Sequence, residues 1–256
     1  MNELQLNKGR IETAWWGPTP EQAPTVVLLH EGLGCVQLWR DFPAALQIAT
    51  GCGVFAYSRF GYGSSAPITL PRSINYMHNE ALDILPDVLD KAGIRRAILV
   101  GHSDGGSIAA IHAGGVQDPR VAGIVMMAAH FFVEDLNIAA IAQIATAYET
   151  GDLRARLARY HGDVDGAFYG WNHAWLDPSF RTFDITGYLK AIRIPVLALQ
   201  GSEDPYGSDE QLHVLVRHTR VPTKIMLIPE ARHAPHAEKP GETLSVIADF
   251  IRECLA

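Results

Sequence analysis

Short runs of apolar and β-branched residues recur along the chain, separated by segments in which apolar positions have helical spacing. Within each run almost every residue is apolar, which is typical of strands covered on both faces of a parallel sheet. These runs predict buried strands at residues 26–29, 54–57, 97–100, 121–127, 196–200 and 225–228.

The intervening segments place apolar residues three and four positions apart, as on a helix with one buried face. Residues 107–115 and 244–254 have this spacing. In residues 79–92 the residues that follow this spacing are Ala81, Leu82, Leu85, Leu89 and Ala92. The alternation of strand and helix predicts an α/β fold, in which a mostly parallel sheet is sandwiched by helices.

One stretch, about 134–190, contains no strand-like run but has helical patterns. A structureless loop of that length is uncommon inside a compact domain. We therefore predict a helical cap insertion between the sixth and seventh strands of a single domain that spans residues 1–256. Its aromatic residues either form the insertion's own core or line a substrate pocket; they are Tyr160, Phe168, Tyr169, Trp171, Trp175, Phe180 and Phe183.

Composition narrows the class of protein. Of 256 residues, 48% are hydrophobic and 19% are charged, which is typical of globular rather than disordered or fibrous proteins. The net charge is −7 and no run of Lys or Arg occurs, so we expect no nucleic-acid partner. No apolar run approaches the ~20 residues of a membrane span, and the first residues lack a signal-peptide pattern. We expect a cytoplasmic protein that does not bind a membrane.

The cysteine and histidine spacings indicate neither disulfides nor a metal site. The three cysteines, Cys35, Cys52 and Cys254, are an odd number without paired spacing, which favours free thiols in a reducing compartment. No spacing of Cys and His is typical of zinc. We expect no metal and no cofactor, and the oligomeric state stays open between monomer and homodimer.

The clearest chemical motif lies at the end of a predicted strand. Residues 97–106 read AILVGHSDGG, a buried strand followed by the pattern G-x-S-x-G and then a helix. Gly101 and Gly105 flank Ser103 because so tight a turn leaves no room for a Cβ two residues to either side. The serine hydroxyl then lies at the positive end of the helix, which favours developing negative charge. Ser103 is the predicted nucleophile.

A serine nucleophile needs a base, and the base needs an orienting carboxylate. In sheets of this kind the three residues follow in the order serine, acid, histidine, at the carboxyl ends of strands. Asp204 follows the predicted strand 196–200, and His233 follows strand 225–228. The sequence therefore predicts the catalytic triad Ser103, Asp204 and His233.

Neighbouring residues offer alternatives to these assignments. Glu203 is a second candidate for the acid, although the Gly-x-x-Asp spacing favours Asp204. His236 is a second candidate for the base, and we expect it instead to pack or bond near Pro235 and Glu238. We predict structural roles for His102, bonded against a neighbouring strand, and for His112.

An oxyanion hole needs two backbone N–H groups directed at the reacting oxygen. The residue after the nucleophile, Asp104, supplies the first. The second comes from the loop after strand 26–29, whose sequence is HEGLG. There the Gly32 amide is the predicted donor, with Leu33 as an alternative.

These motifs together resemble the α/β-hydrolase superfamily over nearly the whole chain. LLHEGLG is similar to the family's oxyanion loop, YSRFGYGSS to its Arg/Pro-x-G-x-G-x-S loop, and RHAPHAEKP to its histidine loop. The resemblance implies the α/β-hydrolase fold, and a serine nucleophile excludes the haloalkane dehalogenase and epoxide hydrolase branches. Two residues depart from the pattern, since Glu31 and Arg232 stand where the family usually has glycine.

Within the superfamily, SDGG and FYGWNHAWLDPSFR resemble the valacyclovir hydrolase, or biphenyl hydrolase-like, group of serine esterases. The resemblance implies that the Asp104 carboxylate binds a substrate's α-amino group; the alternative is that it meets water or an arginine. Glu31 and Asp104 together would make the pocket mouth acidic, which would favour cationic or neutral acyl groups over dicarboxylates.

We therefore predict a carboxylesterase that cleaves small-molecule esters through an acyl-enzyme, with Glu31, Leu33, Trp171 and Trp175 in contact with the substrate. Other enzymes share this triad: carbon–carbon bond hydrolases of aromatic ring-cleavage products, thioesterases and perhydrolases. A ligand-binding protein on the same scaffold is the non-enzymatic alternative, and an intact triad argues against it.

Overall fold

One eight-stranded sheet lies at the centre of the computed structural model, which describes residues 2–256. Its order is β1-β2-β4-β3-β5-β6-β7-β8; the β1–β2 and β2–β4 pairs are antiparallel, and the other neighbouring pairs are parallel. The strands are β1 (Asn2–Leu6), β2 (Gly9–Trp16), β3 (Thr25–Leu29), β4 (Gly53–Tyr57), β5 (Ala97–His102), β6 (Val121–Met127), β7 (Val196–Gly201) and β8 (Thr223–Ile228).

The predicted α/β architecture is confirmed, and each of the six predicted runs lies within one of β3 to β8. Successive side chains of a strand point to opposite faces, and each face has its own apolar core. In β3, Val27 and Leu29 belong to one core, and Val26 and Leu28 to the other. This division explains why the buried strands are apolar at nearly every position.

The sequence analysis did not predict the hairpin formed by β1 and β2. Most residues of β1 are exposed, and the pair lies at the edge of the sheet. Charged side chains such as Glu3 and Arg10, which form an ion pair, are typical of edge strands that avoid further pairing. Strands of this kind lack the continuous apolar run by which the central strands are predicted.

Helices cover both faces of the sheet. The Tyr76–Lys91 region contains a π-helical turn, Glu80–Ile84, just before Pro86, which has no amide hydrogen for an ordinary helical bond. No helix within residues 2–256 is long and apolar enough to cross a membrane. The helices are α1 (Phe42–Thr50), α2 (Tyr76–Asn79), α3 (Leu85–Lys91), α4 (Asp104–Gly115), α5 (Asp135–Thr150), α6 (Leu153–Leu157), α7 (Val164–Leu176), α8 (Thr186–Leu189), α9 (Glu210–His218), α10 (Pro235–Glu238) and α11 (Pro240–Leu255).

Helices α5 to α8 occupy the segment between β6 and β7. The rings of Tyr148 in α5 and Phe168 in α7 stack with centroids 3.6 Å apart, and Phe180 packs against Phe183. These aromatics form a core within the inserted segment. Trp171 and Trp175, by contrast, line a cavity beside Ser103, so the segment's aromatics serve both of the roles considered above.

Candidate active site

The turn between β5 and α4 holds Ser103 in a strained conformation, with φ +53° and ψ −118°. A Cβ at Gly101 would lie 2.1 Å from the Gly105 carbonyl oxygen, and a Cβ at Gly105 would lie 1.9 Å from the Leu29 carbonyl oxygen. Only glycine fits at either position. Strain of this kind persists where the surrounding structure imposes it, commonly at functional sites.

Asp204 and His233 meet at the carboxyl ends of β7 and β8. The His233 Nδ1 atom lies 2.9 and 3.0 Å from the two Asp204 carboxylate oxygens. Those oxygens also accept hydrogen bonds from the Gln200 side chain and the Tyr206 amide, each at 2.8 Å. Burial alone would raise the pKa of Asp204, but the hydrogen bond and charge of His233 hold that pKa below its ordinary value. An ionised Asp204 fixes the proton of His233 on Nδ1.

A narrow cavity of about 120 Å³ contains both Ser103 and His233. A larger cavity, of about 310 Å³, lies between α1 and α11 but contains neither of them. The smaller cavity is therefore the candidate active site. Apart from Asp204, every site residue predicted from the sequence lines it: Ser103, His233, Asp104, Gly32, Glu31, Leu33, Trp171 and Trp175.

The loop after β3 is held by hydrogen bonds to its carbonyl groups. The Glu31 carbonyl lies 3.0 Å from Arg59 Nη2, 2.7 Å from His30 Nδ1 and 3.1 Å from the Gly34 amide, and Arg59 Nη1 also donates to the His30 carbonyl. His30 Nε2 accepts the Arg59 amide at 3.0 Å, so the ring proton is on Nδ1. Burial and the Arg59 charge lower the pKa of His30 well below its ordinary range, so its imidazole is neutral.

The amides predicted for the oxyanion hole remain available. Within residues 2–256, the amides of Gly32, Leu33 and Asp104 have no hydrogen-bond partner, and all three residues line the cavity. A Cβ at Gly32 would lie 2.1 Å from Trp171 Nε1, so only glycine lets the cap approach this loop so closely. The geometry is compatible with Gly32 as donor and with Leu33 as the alternative.

The Asp104 side chain is buried among partners of its own. Its carboxylate accepts the Tyr76 hydroxyl at 2.5 Å and Trp175 Nε1 at 3.3 Å, and Arg59 Nη2 lies 3.8 Å away. Only 1% of the Asp104 and Arg59 side chains is exposed. A charge already balanced by a buried guanidinium does not require an ammonium ligand. This arrangement favours the contact with an arginine over the binding of a substrate's α-amino group.

The alternative base, His236, and the alternative acid, Glu203, lie outside the cavity. His236 lies in α10 with Pro235 and Glu238, and its ring packs against Trp39 and Phe42. Burial, with the charge of His102, lowers its pKa to about 3. The Glu203 side chain is exposed.

Two further histidines have buried hydrogen bonds. His112 bonds to the Ala81 carbonyl at 2.8 Å, in agreement with a structural role. We predicted that His102 bonds against a neighbouring strand. Instead, its Nε2 atom donates to the His233 carbonyl at 2.7 Å. It therefore contacts the loop that carries the candidate base.

The sequence analysis missed four residues of the cavity, namely His130, Tyr206, Ile141 and Ile144. His130 lies just beyond the end of β6, and Tyr206 follows Asp204 by two residues, so their position after a strand was an available signal. Burial lowers the pKa of His130, and its Nε2 atom lies 2.8 Å from the Tyr206 carbonyl. Ile141 and Ile144 lie three positions apart on one face of α5. Any helix that packs against a core has apolar residues at this spacing, so the pattern does not distinguish cavity residues from core residues.

Comparisons with known proteins agree with this fold. The model of the alpha/beta hydrolase family matches residues 26–246. A non-heme chloroperoxidase of Streptomyces lividans is 28% identical over 220 residues, which cover 74% of this chain and 76% of that protein. Epoxide hydrolase B of Mycobacterium tuberculosis is 31% identical over 130 residues, which cover 50% of this chain and only 35% of that protein.

Among solved structures, the 2-hydroxy-6-oxo-6-phenylhexa-2,4-dienoate hydrolase of Rhodococcus sp. strain RHA1 superimposes with a TM-score of 0.84. The alignment covers 98% of this chain and 97% of that one, at 16% sequence identity. At that level of identity the similarity concerns the fold alone.

Proposed function

Because the chain belongs to the alpha/beta hydrolase family, we propose that it is a serine hydrolase that cleaves carboxylic esters of small molecules. The observation that carries the proposal is the contact of His233 Nδ1 with the Asp204 carboxylate, at 2.9 and 3.0 Å, beside the cavity that also contains Ser103. With the Nδ1 proton held by Asp204, His233 Nε2 is the nitrogen that can accept the Ser103 proton.

The first half of the reaction forms an acyl-enzyme. Ser103 Oγ attacks the ester carbonyl carbon while His233 Nε2 takes the hydroxyl proton. The amides of Gly32 and Asp104 bind the resulting oxyanion, and each donor of this kind lowers the barrier by about 3–4 kcal/mol. His233 then gives its proton to the leaving alcohol as the tetrahedral intermediate collapses.

The second half releases the acid. A water molecule gives a proton to His233 Nε2 and attacks the acyl carbonyl carbon, and the same two amides bind the second oxyanion. Its collapse returns the proton to Ser103 Oγ. No proton has to move onto Asp204, whose carboxylate stabilises the charged form of His233 throughout.

The cavity dimensions support short acyl groups as the substrate class. A cavity of roughly 150 Å³ holds a benzene ring, and this one has about 120 Å³. Trp171 and Trp175 of α7 line it, together with Ile141 and Ile144 of α5. We therefore expect acetyl and butyryl esters to react faster than octanoyl esters.

The charges around the cavity argue against the carbon–carbon bond hydrolase alternative, whose substrates carry a carboxylate. The lining contains no Lys or Arg. Arg154 and Arg156 form exposed ion pairs with Asp165 and Asp152, and Arg159 is exposed as well. None of the three arginines of α6 and its flank lies in the lining.

The test is a hydrolysis panel on the wild type and on Ser103→Ala. It contains p-nitrophenyl acetate, butyrate and octanoate, a valine p-nitrophenyl ester, a thioester and one ring-cleavage dienoate. We expect acetate and butyrate to be cleaved only by the wild type, and a phosphonate ester to label Ser103. Turnover of the dienoate alone would replace the esterase proposal, and unchanged activity in the variant would overturn the serine mechanism.

The chloroperoxidase relative supplies a second candidate activity. In an enzyme with this triad, hydrogen peroxide can replace water as the nucleophile that attacks the acyl-enzyme, which yields a peracid. Repeating the acetate assay with added peroxide distinguishes the two reactions, because a perhydrolase would then form peracetic acid in preference to acetate.

A further inference from the structure

Glu31 and His102 form an ion pair beside the triad that the mechanism above does not use. Glu31 lies in the loop after β3, and His102 is the last residue of β5. Their Oε2 and Nδ1 atoms are 3.5 Å apart, and only 4% of the His102 side chain is exposed. A Cβ at Gly34 would lie 2.4 Å from Glu31 Oε2, so the carboxylate lies directly against the backbone of its own loop.

The contacts of His102 favour a charged imidazole. Its Nε2 atom faces the His233 carbonyl at 2.7 Å, and its Nδ1 atom faces the Glu31 carboxylate. A carbonyl only accepts hydrogen bonds, so Nε2 carries a proton. The buried Nδ1 atom has no hydrogen-bond partner within residues 2–256, but the Glu31 carboxylate 3.5 Å away favours a second proton there.

The electrostatics agree with this assignment. Burial alone would lower the pKa of His102, but Glu31 raises that pKa above its ordinary value of 6.5. Burial would raise the pKa of Glu31, but the contact and charge of His102 hold that pKa well below its ordinary value. The other groups that face His102 are the His233 and His236 rings, with centroids at 5.1 and 4.9 Å, and the charge of Asp204.

The sheet order shows why such a pair is useful. Ser103 follows β5, whereas His233 follows β8, and β6 and β7 lie between these two strands. The histidine loop has to reach back across both strands to meet the nucleophile. Within that loop, the His233 carbonyl is the group that bonds directly to the end of β5.

We propose that Glu31 and protonated His102 are positioning residues that hold the oxyanion loop, the nucleophile turn and the His233 loop in register. The inference rests on the proposed serine-hydrolase function. A displacement of about 1 Å in an active site lowers the reaction rate by a factor of the order of 100. Loss of the pair therefore lowers kcat by roughly 10- to 100-fold.

The pair also gives the activity a dependence on pH. The pKa of His102 is raised above 6.5 in the folded protein. The imidazole is therefore charged below pH 6.5 and loses its charge only as the pH rises through the folded pKa. The deprotonated Nδ1 atom then faces the Glu31 carboxylate without a proton between them. Activity falls on the alkaline side, in step with the titration of His102.

The kinetic test compares Glu31→Gln and His102→Gln with the exposed control Glu149→Gln. In Glu31→Gln the side chain keeps its size, while the negative charge that faces His102 is lost. We expect a lower kcat and an alkaline limb displaced to lower pH, with the control unaffected. A wild-type kcat and pH profile in Glu31→Gln would overturn the proposal.

A second readout does not depend on turnover. Histidine NMR titration of the Ser103→Ala protein is expected to show the His102 imidazole titrating above 6.5, and titrating lower once Glu31→Gln is added. A His102 that titrates at or below 6.5 in the presence of Glu31 would refute the charged pair. If no ester is cleaved, the serine-hydrolase proposal fails while this titration still decides the pair.

Discussion

Replacement of Asp204 by asparagine tests the triad most sharply, because the neighbours of both carboxylate oxygens are defined. Oδ1 accepts the Tyr206 backbone amide, and Oδ2 accepts Nε2 of Gln200, which is also held by the Gly207 carbonyl. The backbone donor cannot rotate, so the oxygen of the asparagine has to remain on the Tyr206 side. The new NH2 group then takes the Oδ2 position, 3.0 Å from His233 Nδ1.

That arrangement favours the wrong tautomer of His233. The remaining oxygen lies 2.9 Å from Nδ1 but no longer carries a charge, and the competing NH2 donor favours a ring proton on Nε2. A ring protonated on Nε2 can no longer accept the Ser103 proton. In serine proteases the equivalent change lowers kcat by about 10⁴-fold, which corresponds to about 5 kcal/mol of barrier. Stability changes less, by about 1–3 kcal/mol, for a buried donor left without an acceptor.

The assay is the kcat for p-nitrophenyl acetate, measured for Asp204→Asn beside Glu203→Gln. Glu203 is exposed and precedes Asp204 in the same loop, so its substitution is the matched change of a carboxylate to an amide. We expect the control to keep its activity within about twofold, the range of an ordinary surface substitution. If Asp204→Asn retained a tenth of the wild-type kcat, or if the control lost activity instead, the assignment of Asp204 would be wrong.

Three further predictions concern packing, size selection and pH. In Gly105→Ala the new Cβ would lie 1.9 Å from the Leu29 carbonyl oxygen, so we expect the fold to lose about 3 kcal/mol of stability or more. In the control Gly241→Ala no atom lies within 4 Å of the new Cβ, and we expect a change of under about 1 kcal/mol. Thermal unfolding measures both variants, and equal melting temperatures would contradict the steric argument. Trp171→Ala should raise the ratio of octanoate to acetate turnover at least about tenfold, because a large buried side chain leaves the cavity; an unchanged ratio would show that this residue does not limit acyl length. Because the pKa of Asp204 is lowered in the folded protein, its carboxylate contributes stability that is fully present above pH 3.8 and is lost as the pH falls through the folded pKa. We therefore expect the melting temperature of Asp204→Asn to fall less steeply in acid than that of the wild type. Parallel curves of melting temperature against pH would refute this.

How far the sequence predicts this fold depends on where each residue lies in the sheet. Strands β3 to β7 have residues in the apolar cores on both faces, so their runs stand out against the rest of the chain. Strand β8 lies at the other edge, and its run is apolar although Ile225 and Leu227 are exposed. The β1–β2 hairpin lies at the edge and keeps charged residues such as Glu3 and Arg10 in solvent. Its pairing with β4 is a long-range property that no local pattern carries.

The same distinction applies to the site. Ser103, Asp204 and His233 could be predicted because each follows a recognisable strand, and the parallel sheet brings strand ends to one edge. The partners of Asp104 could not be predicted in this way, because Tyr76 and Trp175 lie 28 and 71 positions away in the sequence. Such contacts depend on side-chain geometry after folding, which strand and helix periodicity do not encode.

The charge balance around the cavity bears on which substrates are selected. The expectation of an acidic pocket mouth counted Glu31 and Asp104 as free charges, yet Glu31 contacts His102 and Asp104 lies 3.8 Å from Arg59. With both of these carboxylates balanced, the site offers a substrate ammonium little uncompensated negative charge. It offers a substrate carboxylate no cation either, because no Lys or Arg belongs to the lining. Selection should therefore follow acyl size more than charge: a valine ester should gain little over a neutral ester of equal length, and a strong preference for it would show that a carboxylate can leave its partner.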